Sequence, residues 1–316
     1  MSPPTRDPRS HRELKRWVEA KIGAECFADV FAFVEQAHLT LWCEHQEPPF
    51  LQLMLLMILY RDVTGRGYIR VLNQLRVQPS IGISSFMHNE RLIHQQLKKW
   101  AKRQFVLGNA ADWNADASTI RRPRQTHGGN LWIDSSDFRL SRRAGKGVKD
   151  AYFSYKANSM ARRFMLLRDG AGRVRKLWGG YSPKLYDGHL IELYSDWMEE
   201  NLDGGVVFGD GHFGIASTLF DDDSKVRFIT PVAKKSKKMM KRLVGANGDG
   251  ADLVIRTNED SKLNADIAHV RARVEKNFAW VKNTFQTLSI KYQGQPSELD
   301  CIVYFAFGVN NYNINH

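Results

Sequence analysis

Acidic residues are in short supply. In 316 residues, 34 Asp and Glu face 46 Lys and Arg, for a formal net charge of +12 and a pI near 9.6. That excess points to a polyanionic partner and by itself leaves DNA, RNA and acidic membrane open. Cysteine is scarcer still. Cys26, Cys43 and Cys301 show no paired metal-ligand spacing, and an odd, sparse count argues against a disulfide framework. Long hydrophobic runs are absent too. The longest, LQLMLLMILY from Leu51 to Tyr60, falls far short of the roughly 20 residues of a membrane-spanning helix and reads as a buried core helix. The opening MSPPTRDPRSHRELKRW has no apolar secretory core, so an intracellular protein is expected, nuclear in a eukaryotic cell. HExxH, a CxxC pair, a P-loop, GxSxG and the dinucleotide fingerprint are all missing.

What is present is an ordinary globular composition, 43% hydrophobic and 25% charged, in a chain long enough for about two domains. Residues 1–110 read as all-helical, from the apolar spacing in LKRWVEAKI, CFADVFAFVEQAHLTLW, the core helix, TGRGYIRVLNQLRV and MHNERLIHQQLKKWAKRQF. Ser84 or Ser85 is the expected cap of the last of these. A helix-turn-helix and a plain packing domain fit this pattern equally well. Residues 111–129, polar and without period, read as a linker. Beyond it the pattern turns mixed. LWIDSS, YFSYKA, RFMLLRD, VRKLWGGY, GVVFGD and VRFITPV are candidate strands, and DGHLIELYSDWMEENL is a helix stopped by Asp203-Gly204-Gly205. The fold class is α/β, a layered domain over 130–316.

Three acids carry the chemistry. Asp134 closes the apolar run Leu131-Trp132-Ile133 and is expected at a strand end. Asp137, three residues later, points to the opposite face if the strand continues. Asp210 follows Val206-Val207-Phe208 between Gly209 and Gly211, where little side-chain bulk leaves room for a metal and a substrate backbone; a simple Asp-Gly turn fits equally. Glu275 borders the stripe Ile267, Val270, Val274, Phe278, Val281, Phe285 and Leu288, spaced as one continuous amphipathic helix. Arg271 and Lys282 share its side. Carboxylates at strand ends and on a crossing helix suit two divalent ions for phosphoryl transfer. His212, two residues past Asp210, fits a supporting or substrate role better than ligation beside carboxylates. RRPR (121–124), SRRAGKGVK (141–149) and KKSKKMMKR (234–242) bracket these acids like a substrate-binding rim. No basic run lies on an obvious amphipathic helix with an aromatic face, which weighs against a membrane partner.

IDSSDF, YFSYKAN, YDGHL, VFGDGHFG, TPVAKKSKK, KLNADIAHVRARVEKNFAWVKNTF and CIVYFAFGVNNYNINH follow the order seen in transposase-derived DDE endonucleases of the Harbinger/PIF type. The chain resembles that family over about residues 125–316. The resemblance implies a ribonuclease-H-like domain whose acids are Asp134, Asp210 and Glu275, using two Mg²⁺ or Mn²⁺ ions to cut DNA at transposon ends and join it to a target. Two departures stand out. The interval between Asp210 and Glu275 is long, and the middle motif reads Asp187-Gly188-His189. Lys156, Arg271, Lys282, Lys234, Lys235, Lys237 and Lys238 are expected on the DNA backbone, and a homo-oligomer and a separate DNA-binding partner protein follow by analogy. A domesticated relative that binds DNA or acts as a scaffold without catalysis is the alternative. A ribonuclease acting on RNA–DNA hybrids would use the same metal centre.

Overall fold

A computed structural model of the protein describes residues 10–41, 48–66, 82–113, 130–141, 152–213, 216–220, 223–231, 265 and 274–316. The helix expected at TGRGYIRVLNQLRV lies largely outside them, as do RRPR, nearly all of SRRAGKGVK, and KKSKKMMKR. Among the described residues, four helices lead the chain: α1 (His11–Ile22), α2 (Ala24–Glu35), α3 (Pro48–Thr64) and α4 (Ile83–Arg103). Met54 to Tyr60 of α3 are all buried, as expected of a helix apolar on every side. The N-cap of α4 is Gly82, without a side-chain cap bond. Ser84 and Ser85 therefore lie inside the first turn rather than capping it.

One helical turn, α5 (Ala110–Trp113), stands at the start of the stretch read as a linker. Trp113 is buried, and its indole N–H donates to Leu107 O at 2.6 Å. Then come β1 (Asn130–Arg139), β2 (Phe153–Ser154), β3 (Ser159–Asp169), β4 (Val174–Tyr181), α6 (Asp187–Asn201), β5 (Val206–Phe208), a 3-10 turn Gly211–Phe213, α7 (Ala216–Leu219) and β6 (Arg227–Ile229). A helix over 274–284, here α8, precedes α9 (Gln286–Ser289) and α10 (Pro296–Asn315).

The strands form one mixed sheet in the order β4-β3-β1-β5-β6, with β2 on the start of β3. β3 is antiparallel to β1 and β4, whereas β1, β5 and β6 are parallel. Alternation along each strand divides the side chains between two cores. Leu131, Ile133, Met165 and Leu167 face α6 and the segment after β5. Trp132, Phe138, Phe164 and Leu166 face the other way, into one apolar cluster with α1–α4, α8 and α10. Within it α4 crosses α10 closely. A Cβ on Gly308 would stand 2.7 Å from the Ala101 Cβ, so only glycine fits there.

Two expectations change. β1 runs five residues past Asp134, which is therefore mid-strand, because Ser135 to Arg139 keep pairing with β3. The long amphipathic helix is interrupted at Phe285, whose backbone leaves helical geometry (φ −105, ψ 88) before α9 begins. Its ring packs edge-on against Phe305 at 5.9 Å. The break brings Thr287 to α3, where its hydroxyl donates to Arg61 O at 3.2 Å.

Candidate active site

The parallel pairing of β1 and β5 sets the geometry. Asn130, Leu131 and Trp132 stand opposite Val206, Val207 and Phe208. Two residues further along each chain come Asp134, still within β1 and on the Trp132 side by alternation, and Asp210, just past the end of β5. The Trp132 and Phe208 rings stack 6.0 Å apart in the apolar cluster that includes Val274 and Phe278 of α8. Both acids are buried, 8% and 6% exposed.

Asp210 takes its orientation from local backbone. Its Oδ1 accepts the His212 N–H at 2.8 Å, and its carbonyl accepts the Phe213 N–H at 3.0 Å, closing the 3-10 turn. The two flanking glycines serve different ends. A Cβ on Gly209 would press on Phe228 at 2.9 Å and Phe213 at 3.0 Å, whereas one on Gly211 meets nothing within 4 Å among the described residues. Gly209 permits packing, and Gly211 leaves open space beside the acid. His212 is exposed in that turn.

Helix α8 is pinned at two levels. Asn277 accepts from Arg168 Nη1 at 2.6 Å and donates to Gly172 O at 2.9 Å, at the β3–β4 end. Lys282 Nζ donates to Ser136 Oγ at 2.9 Å and lies 4.8 Å from the Phe138 ring centre. Since Arg168 pairs with Trp132, Asp134 falls between these two levels. Glu275, exposed, lies about 200° around the helix from Asn277 and shares a side with Lys282. It is set back toward the Trp132 level. The ligand atoms of Asp134, Asp210 and Glu275 accordingly do not gather within 4.8 Å of one another as a set.

Cations approach the same end of β1. Burial lowers the Lys282 ammonium below the usual lysine value; Asp137 opposes this, and Lys156 and Arg139 add to it. Lys156 is exposed in the turn between β2 and β3, so the expected strand YFSYKA is only Phe153–Ser154. Arg271, Lys234, Lys235, Lys237 and Lys238 lie outside the described residues.

Behind the acids is a brace that the sequence did not reveal. Arg163 Nε and Nη2 donate to the two carboxylate oxygens of Asp137 at 2.8 and 3.2 Å. Its Nη1 donates to Leu185 O at 3.0 Å and lies 3.5 Å from Asp187 Oδ1. Asp187 also accepts the Ser135 hydroxyl. Burial works against the Arg163 charge, yet the hydrogen bond and charge of Asp137, with Asp187, hold the guanidinium above its ordinary value. Asp137 thus serves the face opposite Asp134, and Asp187 of the displaced middle motif anchors α6 to β1. Among the described residues, one acidic–histidine group does close within 4.8 Å, namely Asp62, Glu90 and His94. There His94 Nε2 pairs with Asp62 Oδ2 at 2.8 Å, and Arg61 pairs with Glu90. A guanidinium already supplies that group's cation, so it reads as an ionic clamp between α3 and α4.

The chain matches the family described as DDE superfamily endonuclease over residues 133–311, more than half its length. It belongs to that family. The match takes in β1 from Ile133 onward with Asp134, the Asp210 turn, Glu275 and most of α10, and family membership brings a transposase-like nuclease domain with it. No curated protein and no solved structure matches the chain. Among the described residues, no helix is long and apolar enough to cross a membrane. For a DDE nuclease the donor set is apt. Two buried aspartates and an exposed glutamate on α8 offer only carboxylate oxygens, the ligands of hard divalent cations.

Proposed function

We propose that the protein is a divalent-metal-dependent DNA endonuclease of the Harbinger/PIF transposase type, cutting phosphodiester bonds at transposon ends, with strand transfer of the freed end. What supports this reading is the parallel pairing of β1 with β5, which stacks Trp132 on Phe208, with buried Asp134 and Asp210 each two residues further along the chain. A ribonuclease-H-like sheet is supported by the order β4-β3-β1-β5-β6 with β3 alone reversed. The nuclease domain is assigned to 130–316, the helical region to 1–110 and the linker to 111–129.

Asp134, Asp210 and Glu275 would hold two Mg²⁺ or Mn²⁺ ions, which supply Lewis-acid polarisation of the scissile phosphate and a more acidic water or 3′ hydroxyl. The protein's own part is positional. The His212 N–H fixes the Asp210 carboxylate before substrate arrives, and the Arg163 brace holds β1 from behind. Gly211 leaves space for the backbone of the substrate. Lys282 and Lys156 hold phosphate oxygens, with Arg271 and Lys234, Lys235, Lys237 and Lys238 extending the lining. That contribution is independent of base sequence and weakens with salt. Homo-oligomer formation and a separate DNA-binding partner are assigned by analogy with transposases, and action on chromosomal DNA would be nuclear in a eukaryotic cell.

The test pairs wild type with Asp210→Asn, whose amide oxygen can still accept the His212 N–H. Mn²⁺ binding by calorimetry and nicking of labelled duplex DNA are expected in wild type and lost in the variant, with EDTA abolishing the nicking. Cleavage that survives EDTA or Asp210→Asn would sink the mechanism. A second reading, a transposase-derived DNA-binding scaffold without catalysis, draws on the set-back position of Glu275. It predicts DNA binding without cleavage in both proteins.

A further inference from the structure

Tyr155 is 86% exposed, the highest value among the large hydrophobic side chains of the described residues; Val106 follows at 64%. A ring left this open adds little to the core by burial, yet its backbone is held firmly. Ser154, buried beneath it, donates its hydroxyl to Asp137 Oδ2 at 2.6 Å and accepts the Ala157 N–H at 3.0 Å. Asn158 sits in the left-handed region (φ 44), and its N–H donates to Tyr155 O at 3.3 Å. The Phe153 ring meets Tyr155 edge-on at 5.3 Å. The tip is therefore tied, through Asp137, to the strand that carries Asp134. About 10 Å of strand separates Asp134 from Asp137, a spacing on the scale of a few nucleotides. The turn also carries charge. Lys156 is the next residue, and Lys156 and Arg139 act together on the Lys282 ammonium.

An aromatic face held out next to Lys156, on a turn tied to the strand of Asp134, matches what an unpaired nucleobase requires: a flat apolar surface for the base and positive charge for its phosphate. We infer that Tyr155 is a base-stacking residue, laying its ring on an unpaired base of DNA next to the Asp134–Asp210 site while Lys156 holds the adjoining phosphate. The inference rests on the DNA endonuclease assignment. It gives the β2–β3 turn a role in seating the strand that leaves the duplex, independent of base identity because every base has a π face.

The full chain carrying Asp210→Asn, so that nothing is cut, is titrated without divalent ions. One probe is a blunt duplex, and the other is the same duplex with a single-stranded overhang bearing 2-aminopurine. Binding is expected to quench the 2-aminopurine. Tyr155→Ala should abolish the quenching and weaken the overhang probe roughly 5- to 100-fold, leaving blunt-duplex affinity unchanged; Tyr155→Trp and Tyr155→Phe should retain both signals. Lys156→Ala should weaken both probes alike and reduce the salt slope by about 0.9. Quenching and affinity unaltered in Tyr155→Ala, with both DNAs still bound, overturn the stacking role and leave the endonuclease assignment intact. Failure of the parent protein to bind either DNA overturns both.

Discussion

Arg163→Met tests the brace behind the candidate site. In the folded protein the guanidinium is mostly buried, with the side chain of Asp137 deeper still. The substitution keeps most of the aliphatic stem but removes both bonds to Asp137, the bond to Leu185 O and the charge facing Asp187. Two carboxylates would then share a desolvated pocket without a cation. Breaking a buried pair from one side costs about 3–5 kcal/mol. Scaled by the usual unfolding entropy per residue, a chain of 316 residues should lose about 5–8 °C in Tm. Ser154 is the check on this ledger. In Arg163→Met/Asp137→Leu the stranded charge at Asp137 is gone; what remains is the lost acceptor for the Ser154 hydroxyl, about 1–3 kcal/mol, with the lost donor to Leu185 O and the lost charge facing Asp187 common to both variants. The assay is urea unfolding of wild type, both single variants and the double variant, followed by tryptophan fluorescence. A loss below about 1 kcal/mol for Arg163→Met, no more than an exposed ion pair provides, would refute the idea that this brace holds β1.

Three further predictions concern other parts of the chain. Burial first, and then the charge of Asp29, pushes the Cys26 thiol from 9.0 up to about 12. Between those values the unfolded state binds fewer protons, so stability present below pH 9 is lost as pH rises; at about pH 10.5 the loss is about 2 kcal/mol. Urea midpoints of Cys26→Ala under reducing conditions should lack this contribution, and an unaltered alkaline slope would contradict it. Gly179→Ala should destabilise by about 1–3 kcal/mol, because the new Cβ would fall within the Phe164 ring; a thermal melt matching wild type would show that the β3–β4 face has slack. A fragment covering 106–316 should fail to unfold cooperatively and should bind a hydrophobic dye. It strips α10 of its α4 cover, including Trp100, which packs 5.5 Å from Phe305 and 6.1 Å from Tyr312. A sharp, reversible transition for that fragment would instead mean that the nuclease region folds alone.

What could be read from the sequence was local, and what could not was a matter of register. The apolar run before Asp134 and the Gly-Asp-Gly after Val206-Val207-Phe208 mark strands and a sharp exit, because burial and turn chemistry act over a few neighbours. Their alignment depends on parallel pairing between strands more than seventy positions apart, and no short-range pattern encodes which residue of β1 meets which residue of β5. The same limit hid Arg163. It reads as one more cation in a basic chain until antiparallel pairing sets it opposite Asp137. Asp137 looked like a rival ligand, and strand alternation was the signal that it faces away from Asp134. The break at Phe285 was also out of reach. An apolar stripe continues smoothly through Val281, Phe285 and Leu288 whether the helix bends or not, and the demand that bends it comes from α3, more than two hundred residues earlier. Charge was the least local signal of all. A basic excess points to a polyanionic partner but not to where it would sit, and it took the turn at Tyr155-Lys156, held through Ser154 to Asp137, to connect part of that excess with the strand of Asp134. In this fold, then, the chemistry of each acid is written beside it, while the geometry that could make the acids a centre is written in partners far away along the chain.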